Sequence, residues 1–99
     1  MRVISQDGKL DFPYENSVVF ISLVDASEIR IVAIGDDDNV VIAKYSTEEK
    51  AKKAMEELRY AYMCHTIVKM GHTPPDGIDE KLTMGLSGVF QFPAEEELE

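Results

Sequence analysis

The side chains best suited to bind a metal or to act in catalysis are those of one cysteine and two histidines, Cys64, His65 and His72. Thiolate and imidazole groups are zinc ligands, and a Cys-His pair can form a nucleophilic centre. Structural zinc sites nearly always use four side chains, and adjacent helical residues point about 100° apart. Cys64 and His65 therefore cannot easily converge on one ion, and no orienting group for a nucleophile is evident. We predict a buried cysteine and a partly exposed histidine.

Three consecutive aspartates, Asp36, Asp37 and Asp38, raise the question of a calcium site, because hard cations take carboxylate oxygens. The spacing of an EF-hand loop, its central glycine and its closing glutamate are all missing. The glycines form neither a dinucleotide-binding nor a phosphate-binding pattern. We interpret the aspartates as a solvated turn, and we predict no catalytic, cofactor-binding or metal residues and no cofactor.

The clearest element around these residues is an amphipathic helix, predicted at residues 47–70. Its buried stripe follows the i, i+3, i+4, i+7 spacing and comprises Ala51, Ala54, Met55, Leu58, Ala61 and Tyr62. The charged face is predicted to meet water and comprises Lys50, Lys52, Lys53, Glu56, Glu57 and Arg59. Ser46 is predicted to cap the helix in a capping box with Glu49, and Gly71 to follow its C-terminus.

Runs of β-branched residues before the helix predict a sheet. Asp7-Gly8 predicts an N-terminal hairpin. Because proline lacks a backbone donor, Pro13 indicates that the second strand ends there or lies at an edge. Three further strands are predicted at residues 17–24, 28–34 and 39–45, and a last short strand around Phe90. The predicted fold class is α+β: an antiparallel β-meander of about four to six short strands with one long amphipathic helix packed on one face.

The length of 99 residues predicts one domain. We place this domain at residues 1–94 and an acidic tail, which frays, at residues 95–99. Residues 73–77 are predicted to form a loop, and residues 78–86 an irregular segment.

The composition indicates in which cellular compartment the protein acts and which classes of partner are disfavoured. A net charge of -9 disfavours direct binding to nucleic acid. No apolar run approaches the roughly 20 residues of a membrane span, and the first residues lack the apolar core of a secretory signal. A single cysteine agrees with a reducing compartment. We therefore expect a cytoplasmic protein without a membrane partner.

The predicted strands carry apolar residues on both faces, so the sheet needs two covers. The helix supplies one cover. The other comes from the terminal segments, from the loop after Gly71, or from a second copy of the chain. Because an uncovered face would leave an apolar patch of interface size, we predict a homodimer.

Three sequence blocks carry a family resemblance. They are residues 1–15, with Ser5-Gln6-Asp7-Gly8 and Asp11-Phe12-Pro13-Tyr14-Glu15; residues 43–58, from Ala43-Lys44-Tyr45-Ser46 onward; and Phe90-Gln91-Phe92-Pro93. The chain thereby resembles small phage-related proteins of unassigned function from Gram-positive bacteria and their prophages. The resemblance implies a phage or prophage gene product acting inside a bacterium, and it brings no catalytic residues.

Three functional hypotheses follow. The favoured one is a non-enzymatic protein-interaction module that binds an unidentified protein partner through a surface formed by the sheet or by the irregular segment after Gly71. The second is an acidic mimic of nucleic acid that inhibits a host DNA-binding or defence protein, as the charge and the phage context suggest. The third is a small ligand-binding protein or enzyme, which would need a deep pocket lined by convergent polar groups.

Overall fold

The computed structural model describes residues 1–69 and 88–98. Within them the chain forms two three-stranded sheets and one long helix, which confirms the α+β class. The elements are β1 (Arg2–Ile4), β2 (Asp11–Pro13), β3 (Ser17–Ile21), β4 (Glu28–Ala33), β5 (Asn39–Lys44), α1 (Glu48–Lys69) and β6 (Val89–Gln91). Short 3-10 helices occur at Tyr14–Asn16 and Glu95–Leu98.

The first sheet has the strand order β2-β1-β6. The predicted hairpin is confirmed: β1 and β2 are antiparallel, and Gly8 in their turn has a φ of +77°, which a glycine adopts without strain. The edge position of β2 is also confirmed. β6 pairs with β1 in parallel, with Val3 opposite Phe90. This pairing differs from the purely antiparallel sheet that was predicted. Parallel strands require a long crossover connection, and the chain between β1 and β6, which includes α1, is long enough to provide it.

The second sheet is the predicted meander, with the order β3-β4-β5 and antiparallel pairing throughout. Each strand is slightly shorter than predicted. The first ends at Ile21, because the Ser22 hydroxyl accepts the backbone N–H groups of Val24 and Asp25 and turns the chain. A bulge in the β4–β5 pairing places the neighbouring residues Ile42 and Ala43 both in the interior.

The helix packs on the sheets through the predicted stripe. Ala51, Ala54, Met55, Leu58 and Ala61 are buried, and Tyr62 is half-buried. They share one core cluster with residues of both sheets, among them Val3, Ile29, Ile31 and Phe90. The packing of one helix face against the β-rich part of the chain is therefore confirmed.

Two details of the helix prediction are wrong. Thr47, not Ser46, caps the N-terminus: the Thr47 hydroxyl accepts the backbone N–H of Lys50 at 3.2 Å, and α1 begins at Glu48. Ser46 instead donates its backbone N–H to the Glu95 carboxylate. On the charged face, Lys50 and Glu57 are half-buried, whereas the other four charged residues are exposed.

The predicted fraying from Glu95 onward is wrong for residues 95–98. They form a 3-10 helix, and the Leu98 side chain is buried in the core cluster. Lys53 Nζ donates to the Leu98 carbonyl at 3.2 Å, and the Tyr45 hydroxyl donates to the Pro93 carbonyl at 2.9 Å. Some predictions concern residues outside the described ranges: the end of the helix at residue 70, Gly71, the loop at 73–77, the segment 78–86 and residue 99.

Candidate interaction surface

The cysteine and the first histidine occupy the last described turns of α1. Cys64 is buried, as predicted, and His65 is half-buried with its ring centroid 6.4 Å from that of Tyr62. Among residues 1–69 and 88–98, no three Cys, His, Asp or Glu side chains are close enough to hold a metal ion. His72 lies outside these ranges.

The aspartate run lies in the exposed turn between β4 and β5. Asp36 donates its backbone N–H to the Ala33 carbonyl at 3.0 Å, and its Oδ1 accepts the backbone N–H of Asp38 at 3.2 Å. Gly35 opens this turn with a φ of +90°. The Asp36 carboxylate thus serves its own turn, as aspartates commonly do.

Other carboxylates of the described chain act in the same way. The Ser5 hydroxyl and the Lys9 backbone N–H bond to Asp7 and lower the pKa of its carboxyl. The hydroxyl and the backbone N–H of Ser27 lower the pKa of Asp25. Hydrogen bonding to the ionised form favours that form. These groups remain charged acceptors that close turns.

The feature that calls for a functional explanation is the side of the second sheet that faces away from α1. Ile29 and Ile31 of β4 point into the core, so the alternating residues Arg30 and Val32 point to the other side. Directly paired residues of antiparallel strands share one side of the sheet. One surface is therefore defined by three such pairs, which are Val18 with Val32, Phe20 with Arg30, and Arg30 with Val41. We call this surface, formed by Val18, Phe20, Arg30, Val32 and Val41, the outer face.

The outer face is largely apolar, and part of it is exposed among the described residues. Val18 is 51% exposed to solvent and Val41 is 38% exposed, and the other apolar members are half-buried. Next to it, Leu23 and Val24 at the β3–β4 turn are 101% and 98% exposed. A groove of about 430 Å³ joins the two regions and is lined by Phe20, Ser22, Leu23, Val24, Glu28, Arg30 and Asn39. Exposed aliphatic side chains gathered beside a groove are typical of an interaction site.

The charges at the outer face are held in place and nearly balanced. Arg30 donates to Asn39 Oδ1 at 2.8 Å and to Glu28 Oε1 at 3.3 Å. Lys44 Nζ lies 3.9 Å from the other Glu28 oxygen. Asp25 also interacts with Lys44 through charge, so two cations face two anions in this region, whereas the chain as a whole has a net charge of -9. A second molecule therefore meets less repulsion here than the net charge implies.

Sequence reasoning anticipated the outer face only in part. Apolar residues on both sides of the strands indicated that the sheet needs a second cover. The exposure of Leu23 and Val24 was missed because both were assigned to the strand at residues 17–24. The available signal was the Ser22-to-Ser27 stretch, in which Ser22 and Asp25 can both accept backbone N–H groups and end a strand.

Comparison of the chain with protein-family models, with curated proteins and with solved structures finds no match. Within the described part of the chain, no helix combines the length and the apolar character needed to cross a membrane.

Proposed function

We propose that the protein is a non-enzymatic protein-interaction module that binds a protein partner through the outer face. The observation that supports this is the exposure of the valines on that face, continued by Leu23 and Val24 at the adjacent turn. Fully exposed aliphatic side chains gain free energy when a partner removes them from water, at about 25 cal/mol per Å² of apolar surface. Apolar side chains at the centre of a patch are the usual anchors of such binding.

We further propose that the module acts as a homodimer in the cytoplasm of a bacterium, as a phage or prophage gene product. The sequence resemblance supports the phage context, and the uncharged strand β3 supports association between copies. Light scattering after size-exclusion chromatography tests the dimer: an 11.1 kDa species at high protein concentration contradicts it.

Capture of partners from bacterial lysate tests the binding surface. Val41→Lys places a charge on the outer face, and Glu56→Lys places the same residue on the exposed face of α1. Both side chains are accessible, so neither change should unfold the domain. We expect Val41→Lys to lose the proteins that the wild type captures and Glu56→Lys to retain them. Equal capture by both variants would contradict the proposed surface.

A second candidate function is mimicry of nucleic acid, which the exposed turn of Asp36, Asp37 and Asp38 favours together with the charge of -9. Mimicry requires a basic partner held by charge, and salt screens such contacts. Release of the captured protein between low and high salt would favour mimicry. Capture that persists in high salt would favour the apolar outer face.

A further inference from the structure

The proposed homodimer leaves open which element joins the two copies, and the hydrogen-bond pattern of the β3–β4–β5 sheet bears on this question. Ser22 donates its backbone N–H to the Glu28 carbonyl, and Ile34 donates to the Asn16 carbonyl, each at 2.9 Å. In antiparallel pairing the residues that bond to the neighbouring strand alternate with residues that point away. The even-numbered residues of β3 therefore bond to β4. The backbone N–H and C=O groups of Val19 and Ile21 point to the open edge, where no described residue bonds to them.

The opposite edge of this sheet is partly covered. Gln6 donates its backbone N–H to the Ile42 carbonyl at 2.8 Å, and its side-chain Oε1 accepts the backbone N–H of Lys44 at 3.0 Å. One residue thus bonds to the outward-facing Ile42 carbonyl and Lys44 N–H at the C-terminal end of β5. Covering part of an edge in this way hinders another strand from pairing along it.

The edges of the first sheet are less suited to pairing than β3. β2 contains Pro13, which lacks a donor, and Asp11, whose carboxylate binds Arg2 at 2.8 Å. β6 covers only three residues. β3 has five residues, Ser-Val-Val-Phe-Ile, without charge or proline. It therefore lacks the devices by which proteins usually protect an exposed edge.

We propose that two copies of the chain join through the edges of β3, in antiparallel pairing about a two-fold axis at Val19, to form one continuous six-stranded sheet. This inference rests on the homodimer proposed above and names its interface. About this axis, Val19 would exchange backbone hydrogen bonds with Val19 of the second copy, and each Ile21 N–H would reach the Ser17 carbonyl across the axis.

Side-chain chemistry favours a second copy as the occupant of this edge. In the proposed register Val18 lies beside Phe20 of the second copy, so every cross-strand neighbour at the axis is uncharged. Two chains that each carry -9 can then meet where neither presents an acidic group. Edge pairing also leaves the outer face open and makes it continuous across the axis, which doubles the surface available to a protein partner.

Two variants on the same face distinguish edge pairing from other dimers. Val18→Lys places a charge beside the proposed axis, whereas Val41→Lys places it two strands away, at about 10 Å from β3. Sedimentation at matched concentrations should give a species of about 22 kDa for the wild type, twice the 11.1 kDa of one chain. We expect Val18→Lys to raise the dimer dissociation constant by about tenfold or more and Val41→Lys to leave it within about twofold of the wild type.

Amide hydrogen exchange gives a readout that does not depend on a substitution. The amides of Val19 and Ile21 should become protected as protein concentration rises, while those of Val18 and Phe20, which bond to β4, should be protected at every concentration. A monomer at all concentrations, a dimer with unprotected Val19 and Ile21 amides, or equal weakening by both lysine variants would each overturn the proposal. A monomer that still captured a partner through Val41 would overturn both the homodimer and its edge pairing and would leave the proposed binding surface standing.

Discussion

Shortening Leu58 to alanine tests the packing of α1 on the sheets, on which the position of the outer face depends. Leu58 is 1% exposed and belongs to the core cluster with Ile29 and Ile31. Leu58→Ala removes buried methyl groups and leaves a cavity, so we expect a loss of about 3 kcal/mol in the free energy of unfolding. For a domain of this size, that loss lowers the melting temperature by roughly 12–24 °C.

Urea unfolding followed by circular dichroism measures this change, at one fixed protein concentration because association would shift the midpoint. Glu56→Ala is the matched control, since Glu56 is exposed two residues away on the same helix. It should change the free energy of unfolding by less than about 0.5 kcal/mol. A Leu58→Ala variant as stable as the control would refute the assigned helix face.

Three further changes test the C-terminal segment and its contacts. Leu98→Ala should cost about 2 kcal/mol because Leu98 is 3% exposed, and thermal unfolding would show no change if the segment were frayed. Tyr45→Phe removes the hydrogen bond to Pro93 and should cost about 1 kcal/mol. Burial, with smaller effects of nearby glutamates, raises the pKa of Tyr45 above its ordinary value of 10.0. As the pH rises, the tyrosine therefore ionises in the unfolded chain before it ionises in the folded one. Above pH 10.0 the stability of the wild type should consequently fall more steeply than that of the Tyr45→Phe variant. Hydrogen bonds from Ser46 lower the pKa of Glu95 below its ordinary value of 4.5, so this carboxylate stabilises the fold at neutral pH and loses that effect as the pH falls below 4.5. Glu95→Gln should therefore melt at a lower temperature than the wild type at pH 7 and at the same temperature in strong acid, and an unchanged difference at both pH values would contradict this role.

Local patterns in the sequence were sufficient for the elements that depend on neighbouring residues. The stripe through Ala51 and Leu58 has the helical period, and Asp7-Gly8 supplies the turn that a short hairpin requires. The run of strands before the helix likewise follows from β-branched residues separated by short turns. Each of these features is decided within a few residues of chain.

Features that depend on distant residues could not be predicted in the same way. The parallel pairing of β6 with β1 joins residues more than eighty positions apart, and no local pattern encodes it. The acidic composition of residues 95–98 favoured a frayed tail, but burial of the single residue Leu98 anchors the segment. The helix cap moved by one residue because Ser46 and Thr47 are both good caps, and the contact of Ser46 with Glu95 leaves that role to Thr47.

The sequence indicated that the sheet has an uncovered apolar face, but it did not indicate which residues and strand edges form the surface. Apolar residues on both sides of the strands indicated an uncovered face. The open edge at Val19 and the partly covered edge at Gln6 exist because the strands divide into two separate sheets, a division that the single predicted meander did not contain.

Site-specific photo-crosslinking in bacterial cells tests most directly whether the outer face is the surface through which this protein binds. A photo-reactive residue would replace Val41 in one variant and the exposed Glu56 on α1 in another. We expect a discrete adduct with another protein from position 41 and none from position 56. Adducts of equal yield from both positions, or an adduct from position 56 alone, would contradict the assignment of the outer face as the binding surface.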